Sequence, residues 1–157
     1  MIRAISMTPY INTPRLEEGR LPRNIHECMA DSNTFLMESF HIGDTITLES
    51  GDNDELSDTL KTDTFTIVGT GSLPYYTDLT RGTGSIGDGN VDAFILLHPD
   101  AFDTDIYTEA YVTVSGAEEP VTLSDEYKDL VDPVADRIKE VAKTAEVRRY
   151  DEVYADA

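Results

Sequence analysis

Residues Gly82-Thr83-Gly84-Ser85-Ile86-Gly87 spell GxGxxG, a pattern whose backbone N–H groups meet a pyrophosphate when a strand precedes it and a helix N-terminus follows. Here Arg81 and a polar stretch come before the glycines, and Asp88-Gly89-Asn90 leads directly into an apolar run. The residues therefore predict a turn-rich loop and no nucleotide site. Asp52, Asp54, Glu55 and Asp58 form one acidic cluster, and Asp100, Asp103 and Asp105 form another. Oxygen ligands at alternating positions suit a hard cation, but neither run has the glycine and closing glutamate of an EF-hand loop. A weak surface cation is the most this pattern allows.

His26, His41 and His98 are far apart in the chain, and the single cysteine, Cys28, can close no intrachain bridge and supply no zinc or dithiol motif. Beside Met29 it reads as a small apolar residue packed in a strand. Ser72, Ser85 and Ser124 lack the spelling of a nucleophile elbow. No catalytic set stands out, and the expectation is a protein that is not an enzyme, with no metal and no cofactor of its own.

These groups need elements to hold them. With 157 residues, 39% hydrophobic and 27% charged, the chain has the composition of one ordinary domain and can bury a core without a staple. Ile2 to Met7 reads as a first strand, and the Pro- and Gly-bearing stretch from Thr8 to Asn24 as irregular. Asn33 to Phe40 has near-helical apolar spacing behind Ser32, suggesting a short helix. Thr45 to Leu48 alternates as a half-buried strand, and Phe65 to Gly69 restarts one after an acidic stretch, so the two predict a hairpin. A long polar loop from Gly69 to Asn90 leads to Val91–Leu97, and Tyr107–Val114 alternates as a further strand.

The last forty residues change period. Tyr127, Leu130, Val131, Val134, Ile138, Val141, Ala142 and Ala145 recur at steps of three and four, predicting an amphipathic helix capped by Ser124 and laid on the sheet through Leu130, Val134, Ile138 and Val141. Pro133 predicts a kink or a restart there. Strands followed by a closing helix give an α+β domain with a mixed or largely antiparallel sheet.

Twelve Lys plus Arg stand against thirty-one Asp plus Glu, a formal charge of −19, and no cation lies between Arg81 and Lys128. Such a surface repels phosphate backbones, so nucleic acid is excluded as a general partner. The longest apolar run, Ala93 to Leu97, is far short of the roughly 20 residues of a membrane span.

Read together, several segments resemble the extracytoplasmic domains of MacB/FtsX-type ABC transporter permeases, in the same chain order. Ile11 to Pro22 is similar to their "eGRlP" segment, His26 to Asp31 to the "n-EcvvD" strand, His41 to Leu48 to "GDtitl", and Phe65 to Gly69 to "ftVvG". The most distinctive match is Arg81 to Asn90, which resembles the "RGtttIGnGk" loop of a Gram-positive branch; Tyr107 to Tyr111 and Ser124 to Tyr127 continue the series. The resemblance implies a MacB-like periplasmic core fold on the outer face of the cell membrane. Residues 1–157 would be a portion of a larger permease, with 150–157 the truncated connector to its next element.

The resemblance further implies no catalysis in this domain. ATP would be used by a separate cytoplasmic ATPase, reached through transmembrane helices in a transporter that is dimeric as a whole. An extracellular substrate or protein partner would meet the loop of Arg81, Gly82, Gly84, Ile86, Gly87, Asp88 and Gly89, and the closing helix would transmit motion. A free-standing secreted acidic module, cation-dependent or not, is the alternative, and a hydrolase with no sequence signature is a third.

Overall fold

The structure, a computed structural model, describes residues 1–157 except 33–40, 53, 78–79, 85–88, 105–106 and 156–157. The chain divides into two compact units, Met1–Thr108 and Glu109–Ala157.

Among the described residues the first unit is built on six strands: β1 (Ile2–Ser6), β2 (Arg15–Gly19), β3 (Glu27–Asp31), β4 (Thr45–Thr47), β5 (Thr64–Ser72) and β6 (Ala93–Leu97). They lie in the order β1-β6-β3-β5-β2, with β4 also pairing β5. The sheet is mixed: β1 runs parallel to β6 and β3 parallel to β5, whereas β3–β6, β2–β5 and β4–β5 are antiparallel. The interior strand β6, Ala-Phe-Ile-Leu-Leu, is buried along its whole length, as a strand covered on both faces must be. Ile95 and Leu97 join Cys28, Ala30, Phe65 and Ile67 on one face, while Phe94 and Leu96 join Met29 and Leu73 on the other. That alternation is the period of two that a pleated strand imposes.

β5 is the organiser. Its nine residues pair β3 along one edge, and the other edge is shared by β4, opposite Thr64–Thr66, and β2, opposite Gly69–Ser72. The expected β4–β5 hairpin is therefore formed. Its acidic connection is pinned by Leu60, which is buried and bridges Phe102. β2 falls where an irregular stretch was expected. All five of its residues are exposed, so it is held by backbone pairing to β5 and carries no hydrophobic alternation that a sequence reading could detect. The expected helix over 33–40 lies outside the described residues.

In the second unit one helix, α1 (Asp125–Ala155, 31 residues), follows a loop. The Ser124 hydroxyl accepts the Tyr127 N–H at 3.2 Å, the expected N-cap. Pro133 lies within the helix, so of the kink or restart expected there, the restart does not occur. Two sequence expectations are corrected. Tyr107–Val114 forms no strand: Tyr107, Tyr111 and Val112 are exposed, because alternation supplies a face to bury but not the neighbouring strand that would pair with it. The helix stripe is likewise not buried: no described α1 residue is buried, and Leu130, Ile138 and Val141 are 40%, 43% and 68% exposed. The chain is thus α+β, a mixed sheet followed by one long C-terminal helix. Among the described residues no helix is long and apolar enough to cross a membrane.

Candidate functional site

The connection from β5 to β6 must cross the end of β3, because β3 lies between those two strands. β3 is parallel to β5 and antiparallel to β6, so its last residue, Asp31, sits at the end of the sheet where β5 finishes and β6 begins. Asp31 shares a face with Met29 by strand alternation. From the connection, Arg81 returns to that position.

The two side chains meet as a fork. Arg81 Nε donates to Asp31 Oδ2 at 2.6 Å and Nη2 to Oδ1 at 2.9 Å, the bidentate geometry that a planar guanidinium offers a carboxylate. Both are enclosed, with side-chain exposures of 3% and 0%. The guanidinium carbon lies 5.1 Å from the Tyr76 ring centre and 5.9 Å from that of Phe94, and the two rings stack at 5.3 Å. Cation–π attraction therefore adds to the ion pair in a place shielded from water. The carboxylate holds the Arg81 guanidinium above its ordinary value, its hydrogen bonds outweighing the opposing effect of burial. Burial pushes the Tyr76 hydroxyl up, against the lowering influence of Arg3.

Beyond Arg81 the described residues on either side of 85–88 pair as a short antiparallel stem. The Val91 N–H donates to Gly82 O at 3.2 Å, the Gly84 N–H donates to Gly89 O at 3.0 Å, and Thr83 bridges Asn90. Gly82 and Gly89 take φ of +86° and +80°, a left-handed conformation that glycine adopts without a Cβ penalty. The Asp92 N–H donates to Met1 O at 2.8 Å, tying the stem's exit to the edge of β1.

Of the loop residues singled out in the sequence, Gly82 and Gly84 are exposed and Gly89 half-buried, while Ile86, Gly87 and Asp88 lie outside the described residues. Arg81 is turned into the body. It anchors the loop where the sequence alone placed it among the partner-facing residues. The GxGxxG spelling thus opens on an antiparallel stem that runs back into β6, and the strand-to-helix frame a pyrophosphate needs is not formed by the described residues.

The remaining candidates have local roles. His98 Nδ1 accepts the Asp100 N–H at 3.3 Å and caps the 3-10 turn Pro99–Ala101. The His41 N–H donates to Asp44 at 2.8 Å, and His26 is exposed. Asp52 accepts the Ser50 hydroxyl at 2.8 Å and the Asp54 N–H at 3.1 Å, which closes a turn. Among the described residues no three His, Cys, Asp or Glu side chains gather as a metal site; Asp105 lies outside them. Cys28 is fully buried in β3, and burial pushes its thiol up to about 12, the state of a packed and unreactive sulfur.

A second ion pair, missed in the sequence, clamps the turn between β2 and β3. Arg20 Nη1 and Nη2 donate to Glu27 Oε2 and Oε1 at 2.6 and 2.7 Å, and the Arg23 N–H adds a bond of 2.8 Å. The Arg20 hydrogen bonds, helped by that N–H, lower the Glu27 carboxyl to about 2. An arginine and a glutamate flanking a Leu-Pro turn were the available signal.

No family model, curated protein or solved structure matches this chain.

Proposed function

We propose that this chain is the extracytoplasmic domain of an ABC transporter permease, binding a substrate or partner at the β5–β6 connection and relaying ATP-driven motion through α1. The observation that carries the reading is α1 itself. It is a helix of 31 residues that buries none of them among those described, yet keeps an apolar stripe of Leu130, Ile138 and Val141 in solvent. A helix whose backbone bonds are internal is stiff along its axis, and an amphipathic stripe left in water is a face made for another element. The second support is the order of sequence segments that resemble this permease family, with the Arg81 to Asn90 loop the most specific of them.

In this reading the sheet unit is a rigid carrier, the Gly82–Val91 stem the recognition element, and α1 the link to the membrane part. The acidic surface keeps nucleic acid and anionic headgroups away. The test is to express the whole reading frame with its native flanks and to locate this segment. The reading expects the protein in the membrane fraction, the segment open to protease added outside intact cells, and co-purification with an ATPase. A secreted product lacking any membrane span overturns it in favour of a free-standing acidic module.

A further inference from the structure

Along α1, Tyr127, Val131, Val134, Ile138, Val141 and Ala145 recur at alternating steps of four and three, the heptad spacing of a helix that packs on another helix. Ile138 and Val141 are exposed, and the other four are half-buried. Two properties change along this seam. Residues 125–136 hold five acids and one lysine, whereas residues 137–149 hold five bases and two acids. The seam also begins at its largest side chain, Tyr127, and ends at its smallest, Ala145.

Both gradients are matched by the same helix reversed. We propose that α1 is a self-complementary docking face, which pairs antiparallel with α1 of a second copy of this chain. Reversal about a two-fold axis at Asp136 sets Tyr127 against the partner's Ala145, Val131 against the partner's Val141, and Val134 against the partner's Ile138, so large side chains meet small ones. The acidic half then lies on the basic half, and the helix dipoles oppose each other favourably. Glu126 comes level with the partner's Arg148 on one side of the seam, and Lys128 with the partner's Glu146 on the other. A parallel pair would instead lay acid on acid, Tyr127 on the partner's Tyr127 and Ala145 on the partner's Ala145. The antiparallel seam is short and built of Val and Ala, and Arg137 meets the partner's Arg137 beside the axis. The pair is therefore weak, half formed at about 100 µM, and α1 is single at the few micromolar of an optical melt. This goes beyond the proposed function and does not need it. A secreted module would pair in the same way, and a permease domain that stays single keeps its relay.

Sedimentation equilibrium of the full 157-residue chain, run from about 5 to about 500 µM to bracket that midpoint, should show the mass climb from one chain toward two. Ile138→Asp, at an exposed position, should keep its helix by circular dichroism and weaken association by about tenfold or more, because pairing would bury the new charge. Lys128→Glu should weaken it by about threefold. Adding Glu146→Lys to that chain should restore it, although the two residues lie about 27 Å apart along one helix and cannot meet within it. Tyr127→Cys and Ala145→Cys chains, mixed and oxidised, should yield the mixed disulfide ahead of either like pair. A chain that stays single at every concentration overturns the proposal, as does association that Ile138→Asp leaves intact. Like-paired disulfides, the mark of a parallel pair, also overturn it, and so does a charge swap that restores nothing.

Discussion

Asp31 and Arg81, fifty residues apart, form a two-bond fork at 2.6 and 2.9 Å that fastens the longest described connection of the sheet unit to the strand it crosses. Removing one partner strands a charge where water does not reach. Asp31→Asn and Arg81→Met should each cost about 3–5 kcal/mol, read from urea unfolding of the first unit's transition. Asp31→Leu with Arg81→Met should recover most of the loss, and a double variant as unstable as the sum of the singles would show that the fork is not what couples them.

Glu27 supplies a pH dependence whose sign follows from its pairing. Its carboxyl is lowered from 4.5 to about 2 by Arg20 and the Arg23 N–H, so the folded state holds the anion more strongly than the unfolded chain does. That stabilisation is fully present above about pH 4.5 and is lost as the pH falls through the window down to about 2. Other carboxylates contribute to the same acid limb, so the informative quantity is the difference between the unaltered chain and Glu27→Gln. That difference should shrink steadily on acidification across the window, and a constant difference would contradict the Arg20–Glu27 account.

Cys28 should behave as core. Its thiol is fully buried and raised to about 12, so at neutral pH an aromatic disulfide reagent should label it only at the rate of global opening, and completely in denaturant. Rapid stoichiometric labelling of the folded chain would place Cys28 on a face that opens.

The helix stripe carries the opposite expectation. Ile138 is 43% exposed, so Ile138→Ala should change helix stability by less than about 1 kcal/mol, well below the cost of truncating a buried isoleucine. Circular dichroism melts of the isolated chain read this directly. A loss in the core range would mean that the stripe is covered in solution.

What the sequence made legible was whatever a single element decides. β6 announced itself as an unbroken apolar run, Cys28 as a packed strand residue, and Ser124 as a cap, because in each case neighbouring residues set the outcome. What it hid depends on partners far away in the chain. β2 is exposed throughout and exists because β5 offers a backbone edge. Tyr107–Val114 has the alternation of a strand and no described neighbour to pair with. Leu130, Ile138 and Val141 have the stripe of a packed helix yet are exposed, and Val134 is only half-buried. Arg81 was placed in the right loop, but its inward turn depends on Asp31, and no spacing rule joins residues fifty positions apart.

The central claim is that α1 is a relay, and stiffness is the property such a relay requires. A flexible Gly-Ser insertion after Arg149, placed in the whole reading frame with its cognate ATPase, tests it most directly, because a soft linker transmits little directed displacement. The measurement is ATP hydrolysis and the extracellular response recorded on the same preparation. The account predicts that hydrolysis continues while the response is lost. A response retained in full with the insertion in place contradicts it.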